Sequence, residues 1–442
     1  MEPQVVENNT EDLKDTWDEL PDDERYQFFT KLARADAEEL FLDLTAPEQA
    51  FLLADMAHAD RRSWIRLLEP DDAADVIQES EKELHDDLLS LLDPTSRNEV
   101  TALLAYAEDV AGGLMSPRYA RLRPGMTAGA AIRYLHRQSR EQAELISYAY
   151  VVDPADQTLL GMVSFRDLCA GKMTQMASEL MTPELIKVSD QMDQEEISHI
   201  FAECDLMALP VVDDKGRMKG IVTIDDIVDV VSEEATEDIQ KLGGSEALDA
   251  PYMRTKLIPM VRKRGVWLTI LFLSEMLTAT AMGYYENEIQ KAVVLSLFIP
   301  LIISSGGNAG SQATTLVIRA MALDEVEMSD VFRVAGRELV TGIVLGCILG
   351  VVGLLRIVVW QAWGIGGGYG EHFMLIALTI FCSLIGVVAW GTIAGATVPF
   401  ILRACGTDPA TASTPFIATL VDVTGLIIYF TTASIILRGT LL

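Results

Sequence analysis

The sequence predicts a multidomain membrane protein in which an acidic, all-α N-domain and an α/β repeat precede a connecting helix and a five-span α-helical transmembrane domain. The charge distribution is the first observation behind this prediction. The net charge of −31 is concentrated in the N-terminal part of the chain. Residues 1–250 carry 22 basic and 54 acidic side chains, whereas residues 251–442 carry 12 basic and 11 acidic side chains. The second observation is an internal repeat over residues 115–231, and the third is a set of five apolar segments after residue 264. Nucleic-acid binding needs a basic face, so we expect no nucleic acid partner.

Residues 1–111 form the predicted N-domain. Its units begin with proline and acids, as helix N-termini prefer, and continue with apolar residues three and four apart, which is typical of amphipathic helices. LEPDDAADVIQES at 68–80 is one such unit. The N-terminal sequence lacks the basic and apolar regions of a secretory signal. We therefore expect a coil of short helices that stays in the cytoplasm.

The internal repeat has the order strand, helix, strand, strand, helix in each copy. LMSPRYARLRPGMTAGAAI from Leu114 matches LMTPELIKVSDQMDQEEI from Leu180, and YAYVVDPADQTLLGMVSFRDL from Tyr148 matches MALPVVDDKGRMKGIVTIDDI from Met207. The two copies, residues 112–172 and 173–231, resemble a tandem pair of CBS domains. This resemblance implies a pair that dimerises and often binds adenine nucleotides.

A Ser/Thr-x-x-Asp motif opens the last helix of each copy, as Ser164 with Asp167 and as Thr223 with Asp226. A hydroxyl at a helix N-terminus suits a phosphate, and the carboxylate suits a ribose, so the motif is a candidate ATP site. The same residue types form ordinary helix N-caps. The sequence leaves both interpretations open.

Residues 232–262 are predicted to connect the repeat with the membrane. The stretch VSEEATEDIQKLGG at 231–244 is acidic and helix-forming, and it leads to basic residues in front of the first apolar segment. We expect a rigid connecting helix here.

The transmembrane domain, residues 263–442, contains five segments with the ~20 apolar residues that cross a bilayer as a helix. We expect them near 265–284, 292–321, 339–363, 373–402 and 411–437. Basic residues lie at one side of these spans: Arg254, Lys256, Arg262, Lys263, Arg264, Arg319, Arg333, Arg337 and Arg403. The positive-inside rule makes this side cytoplasmic. The C-terminus is then extracytoplasmic, and the protein lies in the plasma or inner membrane of the cell.

Polar residues in the second span indicate an ion path, because such groups are costly in a bilayer unless they face water or a partner. Residues 304–312 read SSGGNAGSQ, and Asn308 and Gln312 lie four apart on one helical face. Close helix packing through small residues is the alternative. We favour a hydrated path with a loosened backbone, to which Pro300 would contribute by removing a helix hydrogen bond. In the fifth span, Pro415 would likewise loosen the carbonyl groups near Ala418.

Asp422 is an acid near the middle of the fifth span. Intramembrane carboxylates mark ion pathways, and a structural ion pair with Arg356 or Arg438 is the alternative. Mg²⁺ keeps most of its waters and uses one or two carboxylates, which two copies of Asp422 in a symmetric homodimer would supply. Glu275 is an intramembrane acid of unknown role in the first span: it could pair, bind the ion or lie near a hydrated interface.

Over nearly its whole length the chain resembles the MgtE family of magnesium channels. The matching motifs are EATEDIQKLG, PLIISSGGNAGSQATTLVIRA and PFIATLVDVTGLIIYF, beside the acidic N-domain and the CBS pair. The resemblance implies a homodimer in the lipid bilayer, without enzymatic activity, whose second and fifth spans line a pore. Asp422 would be its selectivity carboxylate. The other pore positions are Ala418, Gly306, Gly307 and Asn308, with Gln312 on the Asn308 face.

The resemblance also implies negative feedback, in which cytoplasmic Mg²⁺ bridges acidic faces and holds the pore closed. The matching regulatory positions are Asp71 and Asp75 in the N-domain, Asp193, Glu195, Asp205, Asp226 and Asp229 in the second CBS copy, and Glu234, Glu237 and Asp238 in the connecting helix (the plug helix of this family). When Mg²⁺ falls, carboxylates within a Debye length of ~8 Å repel one another. The sequence has no P-loop, so the membrane potential would drive Mg²⁺ uptake.

Two alternatives to a magnesium channel stay open at this point. One is a transporter of broader or different selectivity, for Mn²⁺ and Co²⁺ or for another ion under CBS control. The other is a nucleotide-sensing membrane scaffold that transports nothing.

Overall fold

The computed structural model describes residues 13–14, 16–17, 20–138, 147–248, 252–253, 255–364 and 369–441. Arg254 of the predicted basic side lies outside these residues. The chain divides into two compact units, Met1–Glu234 and Ala235–Leu442.

The first unit opens with short helices, as predicted for the N-domain. A capping box of Thr45 and Glu48 starts one helix, and the Asp93 carboxylate caps another by accepting the backbone N–H groups of Thr95 and Ser96. The helices are Asp22–Phe29 (α1), Arg34–Asp43 (α2), Ala46–Asp55 (α3), His58–Ile65 (α4), Pro70–Glu79 (α5), Lys82–Leu91 (α6), Pro94–Leu103 (α7) and Ala111–Leu114 (α8).

The repeat forms two three-stranded sheets of the same topology. In each, the first strand pairs in parallel with the second, and the second pairs antiparallel with the third. The first copy consists of Arg121–Leu122 (β1), Ala128–Gln138 (α9), Tyr148–Val152 (β2), Leu159–Ser164 (β3) and Phe165–Ala170 (α10). Ala177–Leu180 (α11), Val188–Ser189 (β4), Gln194–Glu203 (α12), Ala208–Val212 (β5), Met218–Thr223 (β6) and Ile224–Leu242 (α13) follow. The predicted order of elements is confirmed.

The core of the first unit joins its helices to the second copy of the repeat. Phe41, Leu52 and Val76 from the helices share one buried cluster with Val211 and Ile227 of the repeat. Apolar burial therefore holds α5 close to the start of α13.

The predicted connecting helix is the C-terminal part of α13, which runs on without a break from the second copy. The expected extension to residue 262 is wrong, because α13 ends at Leu242 and the next helix begins at Leu257. Gly244 has a φ of +74°, a left-handed conformation that glycine adopts easily after a helix end.

Within the described residues, five helical segments are long and apolar enough to cross a membrane, which confirms the predicted spans. The first and third begin earlier than expected, because their helices extend into the polar flanks. The helices of this unit are Leu257–Tyr284 (α14), Glu286–Lys291 (α15), Val293–Ser296 (α16), Ile299–Ala322 (α17), Val331–Trp363 (α18), Phe373–Ala404 (α19) and Thr414–Ile436 (α20). The second span consists of α16 and α17.

Glycines bring α17 and α19 into close contact. Gly306 and Gly310 of α17 face Gly391 and Gly395 of α19, and a Cβ atom on either α19 glycine would collide with the carbonyl oxygen opposite. The Thr314 hydroxyl also donates a hydrogen bond to the Gly395 carbonyl oxygen at 2.8 Å. Close packing through small residues, the alternative for the SSGGNAGSQ stretch, is therefore present on this face.

The predicted loosening of the second span is wrong. Residues 304–312 belong to the continuous helix α17. Pro300 and Pro415 lie in the first turns of α17 and α20, where proline removes no helical hydrogen bond.

Candidate functional site

A polar stripe follows the exposed face of α17. Ser304, Asn308 and Gln312 are exposed and succeed one another by one helical turn, whereas Gly306 and Gly307 are buried. Asn308 and Gln312 thus share a face, as their spacing predicts. α17 has one side for packing and one side that offers amide and hydroxyl groups.

α20 lies beside this stripe. A Cβ atom placed on Gly307 would stand 3.5 Å from the Cα and Cβ atoms of Ala418, so the two helices touch there without overlap. One turn away, the Ser311 hydroxyl donates a hydrogen bond to the Thr414 carbonyl oxygen at 3.3 Å. An open cavity of about 460 Å³ follows the same line, bordered by Ser311, Gln312, Thr315, Leu316 and Thr414.

Asp422 lies one turn beyond Ala418 on α20 and is partly exposed, whereas Val421 next to it is buried. The carboxylate therefore continues the open side of α20. Arg356, one proposed ion-pair partner, lies instead over the rings of Phe298 and Trp360, 5.6 and 5.5 Å from their centroids. The side chain that does reach Asp422 is Glu275 of α14, whose carboxyl group is within hydrogen-bonding distance of the Asp422 carboxyl group.

In the first unit, acids of α5 lie close to acids at the start of α13. Asp71 and Asp75 interact electrostatically with Asp226, and Asp75 also interacts with Glu233. Burial, followed by these neighbouring charges, raises the pKa of Asp71 well above its usual range and that of Asp75 to about 8. The pKa of Asp226 is raised to about 6 by burial, although hydrogen bonds from Thr223 oppose the rise. This acidic face, formed by α5 and the first turns of α13, would be stabilised by a cation or by protons.

Two buried carboxylate oxygens at the acidic face have no hydrogen-bond partner. The Oδ1 atom of Asp71 is buried and has no hydrogen-bond partner, and the same holds for Oε2 of Glu69 just before α5. Buried oxygens of this kind are ligands for a hard cation such as Mg²⁺. Even so, within the parts of the chain that the structure describes, no three His, Cys, Asp or Glu side chains are close enough together to hold a metal ion.

The other predicted regulatory acids of the first unit do not converge on one point. Asp193 caps α12 by accepting the backbone N–H of Glu195 at 2.9 Å, and Glu234 accepts a hydrogen bond from the Gln194 amide at 2.6 Å. Asp205 is exposed after α12, and Asp229 is exposed on α13.

Two predicted regulatory acids belong to the second unit. Glu237 forms an ion pair with Lys241 on the same helix. Asp238 is partly buried next to it.

Sequence reasoning missed several members of the acidic face. Burial and neighbouring acids raise the pKa values of Glu69 and Asp72. The charge of Asp225 contributes to the raised pKa values of both Glu69 and Asp226. The sequence signal was available as two Asp-Asp pairs, one in the first turn of α5 and one in the first turn of α13.

The two nucleotide-motif hydroxyls are used locally in the structure. Ser164 caps α10, accepting the Asp167 backbone N–H at 3.0 Å and donating to the Asp167 carboxylate at 2.6 Å. Thr223 donates its hydroxyl to Asp226 at 2.5 Å and its backbone N–H at 3.2 Å. Ser164 is thus an N-cap, whereas the Thr223 pair shows the reciprocal half of a capping box, in which the Asp226 carboxylate accepts the Thr223 backbone N–H.

A second feature missed in the sequence is the attachment of the end of α13 to the loop before α20. Lys241 Nζ lies 2.7 Å from Asp408 Oδ2. Leu242 packs beside Ala410 and Ala412 of that loop. Because 167 residues separate Lys241 from Asp408, no local pattern could have indicated this contact.

Comparison with protein families matches the N-domain, the repeat and most of the transmembrane domain. Residues 299–432 match the family MgtE, described as a divalent cation transporter. Residues 8–109 match the MgtE intracellular N domain, and residues 107–171 and 177–233 match the CBS domain.

Relatives match over nearly the full length. The chain is 38% identical over 438 residues to the magnesium transporter MgtE of Thermus thermophilus, covering 98% of this chain and 94% of the relative. It is 30% identical over 419 residues to the magnesium transporter MgtE of Bacillus subtilis, covering 95% of this chain and 90% of the relative. A crystal structure of the cytosolic domain of the Mg²⁺ channel MgtE in complex with ATP is 41% identical and covers 51% of this chain and 91% of that one, with a TM-score of 0.47. The family matches and the full-length relatives together show that this chain belongs to the MgtE family.

Proposed function

We propose that this protein is a Mg²⁺-selective channel that takes up magnesium down its electrochemical gradient and is closed by cytoplasmic Mg²⁺. The observation that carries the proposal is the polar stripe of α17 beside Asp422 of α20, within a five-span helical domain of an MgtE family member. It is a transport protein and not an enzyme.

The path lies between two copies of the chain. In one chain the stripe is exposed and Asp422 is partly exposed, and polar groups exposed to lipid would be costly. A second copy related by a two-fold axis covers them and brings two Asp422 carboxylates to one place. Mg²⁺ retains its waters there and is held by the carboxylates and by the Asn308 and Gln312 amides through that water.

The driving force is the membrane potential, which supplies ~2.3 kcal/mol per charge per 100 mV. The basic residues before α14 and after α17 face the cytoplasm by the positive-inside rule. The N-domain and the CBS pair are then cytoplasmic, and the C-terminus is extracytoplasmic.

Closure follows from binding of Mg²⁺ to the acidic face of α5 and α13. The raised pKa values of Asp75 and Asp226 support this step, since their cause is burial and mutual repulsion that a cation relieves. The N-terminal end of α13 forms part of this face. At its C-terminal end, Lys241 forms an ion pair with Asp408 in the loop that leads into α20. A change at one end of α13 thereby acts on the pore helix. The remaining regulatory acids are proposed from the family resemblance.

ATP is proposed as a ligand of the CBS pair, at Ser164, Asp167, Thr223 and Asp226. The support is that the related cytosolic domain of a Mg²⁺ channel was crystallised with ATP and that both motifs lie at helix N-termini, which favour phosphate.

A flux assay on the purified protein in liposomes tests the pore. Asp422→Asn removes the charge but keeps the size, and we expect it to lower Mg²⁺ flux at least about tenfold, the usual scale for losing a metal-orienting group. Glu371→Gln, an exposed acid in the loop before α19, is the matched control and should transport normally. Unchanged flux through Asp422→Asn would overturn the pore assignment.

The same liposomes decide selectivity. Mn²⁺ and Co²⁺ fluxes equal to that of Mg²⁺ would replace the magnesium channel with a general divalent-cation transporter. A wild-type protein that passes no ion would favour the scaffold alternative.

A further inference from the structure

α14 and α20 run side by side in the same direction and are held in register at three levels. At the start of α20, the Trp267 indole N–H of α14 donates to the Ser413 hydroxyl at 3.2 Å. Near their ends, the rings of Tyr285 and Phe430 stack with centroids 4.9 Å apart. Glu275 and Asp422 meet between these two contacts. At a rise of 1.5 Å per residue, the carboxyl pair lies roughly 12 Å from either end contact, deep within the spans.

The surroundings of Glu275 are unsuited to a lone carboxylate. It is exposed on a helix whose face is otherwise apolar, between Phe272 and Met276, both also exposed. Thr278, one turn later, has a buried hydroxyl oxygen with no hydrogen-bond partner. An intramembrane acid in such a place requires a partner or water, and the contact in this structure is Asp422.

Two carboxylates at hydrogen-bonding distance repel each other strongly where little water is present. The contact becomes favourable when positive charge stands beside both groups. The hydrated cation that Asp422 is proposed to bind supplies this charge, and its water shell is wide enough to donate hydrogen bonds to two carboxylates at once.

We propose that Glu275 is a specificity-determining residue of the ion path, which acts together with Asp422 on the hydrated divalent cation. The inference rests on the proposed function, in which Asp422 faces the permeating ion. Glu275 gives each chain two intramembrane carboxylates at one level. Such a path holds a divalent cation more tightly than a monovalent one, since the attraction scales with the charge of the ion.

The expected effect of removing this charge follows from Coulomb's law. A unit charge about 6 Å from a divalent cation in a water-filled path changes its occupancy by about tenfold. Glu275→Gln should therefore raise the Mg²⁺ concentration for half-maximal flux about tenfold. The maximal flux should change much less, because Asp422 is still in place.

The experiment compares wild type, Glu275→Gln, Glu275→Asp and Glu338→Gln as full chains in liposomes. Glu275→Asp keeps the charge and should restore most of the Mg²⁺ affinity, a result that a packing role for the longer side chain would not give. Glu338 is a partly buried acid near the cytoplasmic end of α18, another membrane helix, so Glu338→Gln controls for the loss of an acid from a different span. The second readout is Na⁺ flux at low Mg²⁺, which should rise in Glu275→Gln alone.

The outcomes separate this inference from the proposed function. If wild type transports Mg²⁺, Asp422→Asn does not, and Glu275→Gln matches wild type in half-saturation and in Na⁺ flux, then the role of Glu275 is wrong and the channel stands. If wild type transports no Mg²⁺, the channel itself fails. A folded Glu275→Gln protein, shown by an unchanged elution volume and unfolding temperature, with affinity lowered and then recovered in Glu275→Asp, supports the role of Glu275.

Discussion

At the scale of single residues, α17 shows how one helix serves two purposes. Its glycines face α19, where their missing side chains let backbones approach, and its amides face the opposite side. A substitution on the first face should change stability, and one on the second should change transport.

Gly391→Ala tests the packing face. Its Cβ would collide with the Gly306 carbonyl oxygen, so α17 and α19 must move apart, which costs about 1–3 kcal/mol for overpacking. We expect a lower thermal unfolding midpoint of the protein in detergent. Gly336→Ala is the matched control, because a Cβ at that helical glycine meets nothing within 4 Å and alanine favours helix. Equal midpoints for the two variants would contradict the packing role.

At the scale of elements, the acidic face joins α5 to α13 by a balance between apolar burial and charge repulsion. The shared apolar core holds the helices together, while Asp71, Asp75 and Asp226 repel. Protons or Mg²⁺ can shift this balance, and the structure predicts the direction of both effects.

Without Mg²⁺, the packing of α5 on α13 should weaken as pH rises from 6 to 8.5. The pKa of Asp75 is raised to about 8 and that of Asp226 to about 6, so the packed state binds more protons than the separated state. Its stability is then fully present below the ordinary carboxyl pKa and is lost as pH rises through these raised values. Amide hydrogen exchange of peptides covering 70–79 and 224–234 should be slower at pH 6, after correction for intrinsic exchange rates.

Mg²⁺ should slow this exchange much more at pH 8.5 than at pH 6, because protons already neutralise the face at the lower pH. Asp75→Asn should flatten the pH dependence. A Mg²⁺ effect that is equal at both pH values would show that the ion acts elsewhere.

The ion pair at the end of α13 makes a separate prediction. Lys241→Gln removes the contact with Asp408, and with it part of the connection between α13 and the loop before α20. We expect the Mg²⁺ concentration that half-closes the channel to rise about fivefold, since a partly exposed pair contributes on the order of 1 kcal/mol. This half-closing concentration is measured from channel currents in membrane patches at a series of cytoplasmic Mg²⁺ concentrations.

Asp408→Asn should have a similar effect, and the double variant should add little to Lys241→Gln, because the Lys241–Asp408 pair is removed in all three. The Lys241–Glu237 pair on the same helix is lost only where Lys241 is changed. Lys82→Gln, an exposed lysine on α6, is the control. Additive effects of the two single changes would mean that the residues act independently.

At the scale of the whole molecule, the proposed two-fold assembly predicts which surface is near the axis. In a variant without the five native cysteines, Gln312→Cys should be joined to its counterpart by a short bifunctional thiol reagent, giving a band of twice the chain mass. Thr280→Cys, on the exposed side of α14, should react much less. Equal cross-linking of both would contradict an axis beside the α17 stripe.

The sequence by itself determined the order of domains, the repeat, the five spans and the common face of Asn308 and Gln312. These features depend on local composition and periodicity, which a single chain segment carries. The connecting helix predicted from the sequence is too long. The predicted loosening of the second span is also wrong, because proline in the first turn of a helix does not disturb hydrogen bonds as it does in a helix interior.

Only the tertiary structure decided which distant side chains meet. The contact of Glu275 with Asp422, the ion pair of Lys241 with Asp408 and the gathering of Asp71, Asp75 and Asp226 each join separate elements. The physical reason is that helix packing sets these distances, through glycine contacts and buried apolar area that are summed over many residues. The charge composition predicts that residues 1–250 are acidic, and packing determines which of their carboxylates come close enough to act together.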